Sequence, residues 1–491
     1  LSRLLPGHSR ARRTALATGF HEEAGRLNID GPEVFEGDPI NLLRLFRLAD
    51  QRNLDLHPDA FTAVSRGVAL IGPKIRRDPE AAKVFLDILA HGRDPQRVLS
   101  LMNEADLLGR YMPEWGRIVA QMQFNMYHSY TVDEHTLRAV GVIAEIVAGK
   151  MESDHPLATA IMPLIDDREA LFLAMLLHDT GKGGAGGQEK AGARSARQAC
   201  ERLGLSRKRI ELVAWLVEHH LVMSDYAQKR DISDPRTVID FARIVETPER
   251  LRLLLVLTVA DIRAVGPGVW NGWKGQLLRE LYGATEALFR GGRGSDQGAA
   301  IRRYHESAAY DARIRLTQSD PAATAWGQAM EDAYFTAFSD EEVLAHASLA
   351  RKALKTGAAA LGRNRTDLNA AELSVAATDR PRLFADLAQA LNAAGANVLG
   401  ARVFTSRRGE ALDVFFVHVF GCPCQYAPIT GADHKRAKKT EWGWYVGVQW
   451  PMVLVLRPED DKVISVSRHK VHCHEESYAK YDPAKGGNPL E

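Results

Sequence analysis

Cysteine is scarce: four in 491 residues, with Cys200 alone and Cys422, Cys424 and Cys473 near the C-terminus. That distribution offers no disulfide framework, so a reducing cytoplasm is the expected compartment. Charge of one sign is just as scarce, with 63 Lys plus Arg against 62 Asp plus Glu. No global field draws the chain toward nucleic acid or anionic lipid, and neither is expected as a partner. Long apolar runs are missing too; none approaches the roughly 20 residues that span a bilayer. The opening LSRLLPGHSRARR has neither an apolar core nor a small-residue cleavage site, so no signal peptide is expected. It begins on Leu rather than Met, and the expectation is a fragment of something longer. Two to four domains suit the length.

What the chain has is helical periodicity. In GDPINLLRLFRLADQRNLDL, Leu42, Leu43, Leu45, Phe46 and Leu48 form an apolar stripe, with Asp38-Pro39 as N-cap and first helical residue. Arg44 and Arg47 read as a solvated or ion-paired face. VFLDILAHG and RVLSLMNEADLLGRYMPEW continue the pattern, so residues 1–115 read as all-helical. Residues 116–290 carry LRAVGVIAEIVAG, EALFLAMLLHD, RIELVAWLVEHHLVM and ERLRLLLVLTVADIRAV, for which an all-α bundle is the economical fold. GGRGSDQGAA is a surface loop. Residues 291–368 then read as a helical linker in which Ser339 and Glu342 make a capping box.

Near residue 372 the period changes. ELSVAAT alternates like a strand, DRPRLFADLAQALNAAG is an amphipathic helix ending on Gly395, and ANVLGARVFT and ALDVFFV are strands. The fold class is therefore mainly α: an all-helical bundle preceded by helices and followed by a partial α+β module of βαββ order over 369–417. Residues 418–491 break the pattern and hold three of the eight Trp and three of the four Cys. They are expected to be an extraneous tail or a divergent terminus, with short strands at 453–457 and 463–467.

Four stretches on apolar helical patterns carry chemistry. YTVDEHTLR offers a lone His, LLHDTGKGG a His-Asp pair, VEHHLVM a His-His pair and TVADIRAVGP a late Asp. A divalent metal needs imidazole and carboxylate groups converging on one point. His135, His178, Asp179 and Asp261 supply two nitrogens and two oxygens and leave positions for water and substrate. Neighbours on a helix diverge by about 100°. His178 and Asp179 therefore reach one ion best at a helix end, which Thr180-Gly181-Lys182-Gly183 marks. The mixed set suits Mn²⁺, Mg²⁺ or Fe²⁺ better than structural Zn²⁺. Such a metal lowers the pKa of bound water and neutralises phosphoryl charge, and Lys182 can hold a phosphoryl oxygen as a point charge. Single helical His residues are mostly structural; the order of four motifs is what favours ligation. Of His219 and His220, one is expected as a second-metal ligand or phosphate contact and the other as a packing residue.

The motif order resembles that of the HD metal-dependent phosphohydrolases. The surrounding words are more particular. PEWGRIVAQMQFNMYHSYTVDEHTLRAV, LLHDTGKGG, WLVEHHLVMS, LTVADIRAVGPGVWNGWK and YFTAFSDEEVLAHASL resemble, over residues 1–417, the bacterial bifunctional uridylyltransferase/uridylyl-removing enzymes. In that family a nucleotidyltransferase domain and a helical linker precede an HD domain, and two ACT domains that sense glutamine follow it. The resemblance implies an HD domain over 116–290 and a partial ACT-like domain over 369–417. The transferase site is not matched, so transfer is not expected here. The implied reaction is removal of UMP from a tyrosine of the uridylylated PII signal protein, with His135, His178, Asp179 and Asp261 carried over as metal ligands. From the residues themselves, Lys182 and Asp179 are the expected catalytic groups.

Three departures bear on the details. Where many members have a GGDHS-like stretch, this chain has Gly186-Gly187-Gln188-Glu189, so a second metal requires Glu189 as a substitute. Asn125 stands where an Asp is often seen. Only the first ACT domain is matched, so glutamine sensing is not expected of this chain alone, although Asp379, Arg380 and Gly395 fall near a typical effector loop. Turn-forming residues are common at such corners in any case. Two rival readings are a hydrolase of free nucleotides and a non-catalytic module that docks PII.

Overall fold

Two tight turns open the fold. In the computed structural model the described residues are 13–122, 130–182, 187–232, 234–266, 269–291, 297–365, 370–419, 452–456 and 463–468. Strands β1 (Arg13–Ala17), β2 (Phe20–Glu23) and β3 (Arg26–Ile29) pair antiparallel, and β4 (Asp55–Leu56) adds parallel to β3. Glu23 faces Arg26 across a two-residue loop in which Ala24 (φ 53°) and Gly25 (φ 76°) both take positive φ, the mirror-image turn that matches strand twist. This mixed sheet corrects the all-helical expectation for residues 1–115. The strands are two to five residues long, too short for alternation to stand out, and the turn dipeptide was the only local signal.

Beyond the sheet, helices follow the expected stripes. The Asn41–Arg52 helix buries Leu42, Leu43, Leu45, Phe46 and Ala49. It begins two residues later than expected, although Asp38 still accepts from the Ile40 amide at 3.0 Å. Arg44 and Arg47 are ion-paired, with Asp38 and Glu80 and with Asp87. Acidic caps start later helices: Asp78 ahead of Pro79, Asp94 ahead of Pro95 and Asp167 ahead of Arg168.

The chain forms two compact units. One comprises Leu1–Ile232, Thr237–Trp270 and Leu281–Phe289; the other comprises Ser233–Arg236, Asn271–Glu280 and Arg290–Glu491. In the first, the Val132–Val147, Arg168–Leu177 and Pro248–Ala264 helices pack together. The middle one is buried all round from Ala170 to Leu177, as a central bundle helix must be.

The second unit holds an antiparallel sheet of order β5-β6-β8-β7, with β5 (Ala358–Arg365), β6 (Ala370–Thr378), β7 (Ala396–Thr405) and β8 (Glu410–Val419). The expected βαββ module is thus ββαββ, and the helical linker ends earlier than residue 368. β5 reads AAALGRNR, whose alanines continue a helical pattern on paper. Gly357, at φ 85°, ends the Asp340–Thr356 helix and turns the chain into the strand. One sheet face packs Leu412, Val414 and Phe416 against Trp273, Tyr334 and Phe338. The other packs Leu373, Val375, Phe415 and Val417 against Leu383, Leu387 and Leu391 of the Leu383–Ala393 helix. The Ser339–Glu342 capping box is formed.

Within 418–491, a hairpin of β9 (Met452–Leu456) and β10 (Val463–Arg468) falls close to the two short strands expected there. Most of the rest of the atypical tail, and Asn125, lie outside the described residues. No helix among the described residues is long and apolar enough to cross a membrane.

Candidate metal centre

Helix ends and first turns bring the polar groups together. His135 lies in the first turn of the Val132–Val147 helix, its amide bonded to the Thr131 carbonyl at 2.9 Å. The Arg168–Leu177 helix stops just before His178, and His178 and Asp179 occupy the turn that leaves it. There Thr180 Oγ1 donates to the Leu177 carbonyl at 2.7 Å and the Lys182 amide to the Asp179 carbonyl at 3.1 Å. Asp261 comes from the last turns of the Pro248–Ala264 helix.

One atom from each of His135, His178 and Asp261 lies within 4.8 Å of the other two. His135 Nε2 is 3.0 Å from Asp261 Oδ1, and His178 Nε2 is 3.6 Å from the same oxygen. His178 Nδ1 donates to the Met175 carbonyl at 2.7 Å, which leaves Nε2 directed at the carboxylates. That Nε2 is buried and makes no hydrogen bond of good geometry.

Asp179 sits at the edge of this group rather than inside it. Its Oδ2 lies 3.2 Å from His178 Nε2 and 3.8 Å from His135 Nε2, but also 2.5 Å from Lys182 Nζ. Lys182 is therefore already tied to the carboxylate beside which it was expected to act.

The remaining expected residues divide. His220 is buried, donates from Nδ1 to the Val217 carbonyl at 2.7 Å, and sets its ring 5.2 Å from that of His178, edge to face. His219 turns the other way, stacking on Trp215 at 4.7 Å and bonding the Trp215 carbonyl. Glu189 is in the first turn of the Gln188–Arg202 helix, and no hydrogen bond or ion pair among the described residues joins it to the cluster. Asp379, Arg380 and Gly395 are in the second unit and serve its turns. The Asp379 amide bonds the Gly409 carbonyl, Arg380 pairs with Asp386 at 2.8 Å, and Gly395 leaves the Leu383–Ala393 helix at φ 71°.

Two supports escaped sequence reading. Asp133 Oδ2 accepts from Asn103 Nδ2 at 3.2 Å, and Asn103 Oδ1 accepts from Trp115 Nε1 at 2.8 Å, which braces the turn that carries His135. Gly181 lies against Gly192: a Cβ at Gly181 would fall 2.1 Å from the Gln188 carbonyl and 2.3 Å from the Gly192 nitrogen. Only the unremarkable words DEH and TGKGG marked these places.

The electrostatics favour a cation. Burial opposes a charged His178, yet Asp179 and then Asp261 outweigh it and push that imidazole up to about 10. Burial likewise works against an ionised Asp261 and Asp179, but the neighbouring imidazoles, joined by Lys182 at Asp179, hold both below the usual carboxylate range. His220 is lowered, first by burial and then by His178. Buried imidazole nitrogens and carboxylate oxygens that converge and stabilise positive charge among themselves form a donor set that fits a divalent ion.

The family described as "Uridylyltransferase GlnD third domain" matches residues 20–111, "HD domain" matches 132–262 and "ACT domain" matches 371–423. The chain is 76% identical over 417 residues to the bifunctional uridylyltransferase/uridylyl-removing enzyme of Phenylobacterium zucineum, covering 85% of this chain and 44% of the relative. The enzyme of the same description from Caulobacter vibrioides is 68% identical over 425 residues, covering 86% and 45%. That from Azospirillum brasilense is 46% identical over 402 residues, covering 81% and 43%. The chain thus spans less than half the length of the curated relatives it matches.

Proposed function

From a chain that corresponds to the third-domain, HD and ACT region of the bifunctional uridylyltransferase/uridylyl-removing enzymes, about 44% of a full-length relative, we propose uridylyl removal as its activity. The substrate of this reading is the uridylylated PII signal protein, and the bond cleaved is the phosphodiester between UMP and a tyrosine. The observation that carries it is the convergence of His135, His178 and Asp261 inside the HD match.

A divalent ion, Mn²⁺ or Mg²⁺ before Fe²⁺, held by these three residues with Asp179 beside them, supplies Lewis acidity toward water and phosphoryl oxygen. The chain's own groups do the rest. The Met175 carbonyl fixes the His178 ring, and Asp261 bridges toward both imidazoles. Lys182 takes phosphoryl charge by exchanging its bond to Asp179 for one to the substrate. Water oxygen bonds to phosphorus as the tyrosine oxygen departs, giving UMP and the free side chain. A phenol of pKa about 10 leaves with little help from a general acid. His220, buried edge-on against His178, orients that ring in this scheme.

Purified chain incubated with uridylylated PII and Mn²⁺ is expected to release UMP, and EDTA is expected to stop it. His178→Ala should reduce release by about a hundredfold or more, since it removes a ligand outright where loss of an outer-shell partner alone costs about 10–100-fold. Release that survives both treatments sinks the proposal. Turnover of free nucleotides but not of modified PII favours the nucleotide-hydrolase reading. Metal uptake without turnover leaves a PII-docking module.

A further inference from the structure

In the first unit Arg76 is bonded to the backbone at Arg110, and the charges of Arg110, Arg202 and Glu114 all act on it. Arg76 Nε donates to the Arg110 carbonyl at 2.7 Å, which fastens the Ile75–Arg77 turn to the Leu107–Tyr111 helix. Arg202, from the end of the Gln188–Arg202 helix, grips Glu114 with two bonds of 2.8 and 2.5 Å. Glu114 is buried and both its oxygens are used in that grip. Among the described residues, neither the two terminal nitrogens of Arg76 nor the Arg110 side chain has a hydrogen-bond or ion-pair partner. Burial, followed by the charges of Arg110 and Arg202, pulls the half-buried Arg76 guanidinium below its ordinary pKa, and Glu114 is the one carboxylate acting against them.

A second observation points to the same place. The Tyr111 hydroxyl and Arg202 Nε are both buried, and neither has a hydrogen-bond partner among the described residues. The hydroxyl is close enough to Arg202 for that charge to act on it. Buried donors without acceptors cost stability, as do guanidiniums crowded around a carboxylate that neutralises only one of them. An oxyanion held by the free terminal nitrogens of Arg76, beside Arg110, supplies the negative charge that Glu114 alone does not. A phosphoryl group is the suitable class, because a planar guanidinium with two free terminal nitrogens matches two phosphate oxygens at once.

We infer that Arg76 and Arg110 form a binding site for a phosphoryl group, distinct from the metal centre and independent of uridylyl removal. Arg76 is the principal ligand, Arg110 closes the site from the exposed side, and Arg202 stays paired with Glu114 as a fixed charge nearby.

The test is calorimetric titration of the chain with inorganic phosphate in EDTA, at constant ionic strength against chloride. EDTA removes metal-held phosphate as a source of signal. Saturable binding is expected, weakened about tenfold or more in Arg76→Gln, the equivalent of losing charge-assisted hydrogen bonds. Arg110→Gln, at an exposed position, should weaken it as well and is the variant to use if Arg76→Gln does not fold. Arg243→Gln, which removes an exposed arginine paired with Asp240, should bind as the parent does. A nucleoside monophosphate run in parallel identifies the source: tighter binding than phosphate marks a nucleotide site, equal binding a site for phosphate alone, and both uphold the inference. Absence of saturable binding, or equal binding by folded Arg76→Gln and Arg110→Gln, overturns it.

Discussion

Asp413 is a carboxylic acid set in a hydrocarbon layer. It stands opposite Val375 on β8, on the sheet face that carries Ala411 and Phe415, and is 2% exposed. Its Oδ1 has no hydrogen-bond partner among the described residues. Burial first, and then the charge of Asp379, push its pKa from 3.8 to about 6. A carboxyl raised in the folded state holds its proton after the unfolded chain has lost one, so stability falls as pH rises from about 4 to about 6 and stays low above that. Asp413→Asn removes the penalty. It should raise stability at pH 8 by up to about 3 kcal/mol, with the gain vanishing near pH 4. Urea denaturation at the two pH values checks this, and an equal effect at both would contradict it. Site residues themselves were legible to different degrees. His135, His178 and Asp261 follow from motif order, because ligands must be imidazole or carboxylate. The choice between His219 and His220 was not legible, since it depends on which ring the end of the Arg207–His219 helix turns inward.

At the scale of elements, the Gln188–Arg202 helix approaches the His178–Lys182 turn so closely that two glycines are required. A methyl group at Gly181 would strike backbone at 2.1 Å, whereas one at Gly192 would meet the Val217 side chain at 3.0 Å and the His178 carbonyl at 3.4 Å. Gly181→Ala should therefore cost about 2 kcal/mol or more and weaken Mn²⁺ binding, while Gly192→Ala should cost less. Melting curves and metal titration of both variants read this directly, and equal effects would argue against backbone contact as the cause. The same scale explains which elements sequence reading found. Helices of ten to seventeen residues repeat their apolar stripe often enough to be unmistakable, as in Val132–Val147 and Pro248–Ala264. Strands β1 to β4 are too short for alternation to register. Strand β5 is built from alanines that favour helix, and only its pairing with β6 along eight residues decides the matter. Tertiary pairing overrides local preference there.

For the whole molecule, two compact units with separate cores imply two separable responses to ligand. The candidate metal ligands His135, His178 and Asp261 belong to the first unit and the sheet β5-β6-β8-β7 to the second. An ion that binds only the folded first unit stabilises that unit by mass action, about 2.7 kcal/mol at a hundredfold excess over Kd. Differential scanning calorimetry with Mn²⁺ and then EDTA should move the transition of the first unit and leave that of the second in place. A shift of both together would mean that the units unfold as one.

The spread of the three converging side chains along the chain sets a clock. Asp261 lies 126 residues after His135, its nearest partner in the cluster. At about 5–20 residues per second, a ribosome needs roughly 6–25 s to deliver the carboxylate after the first imidazole has been made. Throughout that interval the nascent chain carries His135, and later His178, without the oxygen that completes the set. Completion of the candidate donor set therefore waits for the Pro248–Ala264 helix, and a chain stalled before it lacks the Asp261 carboxylate.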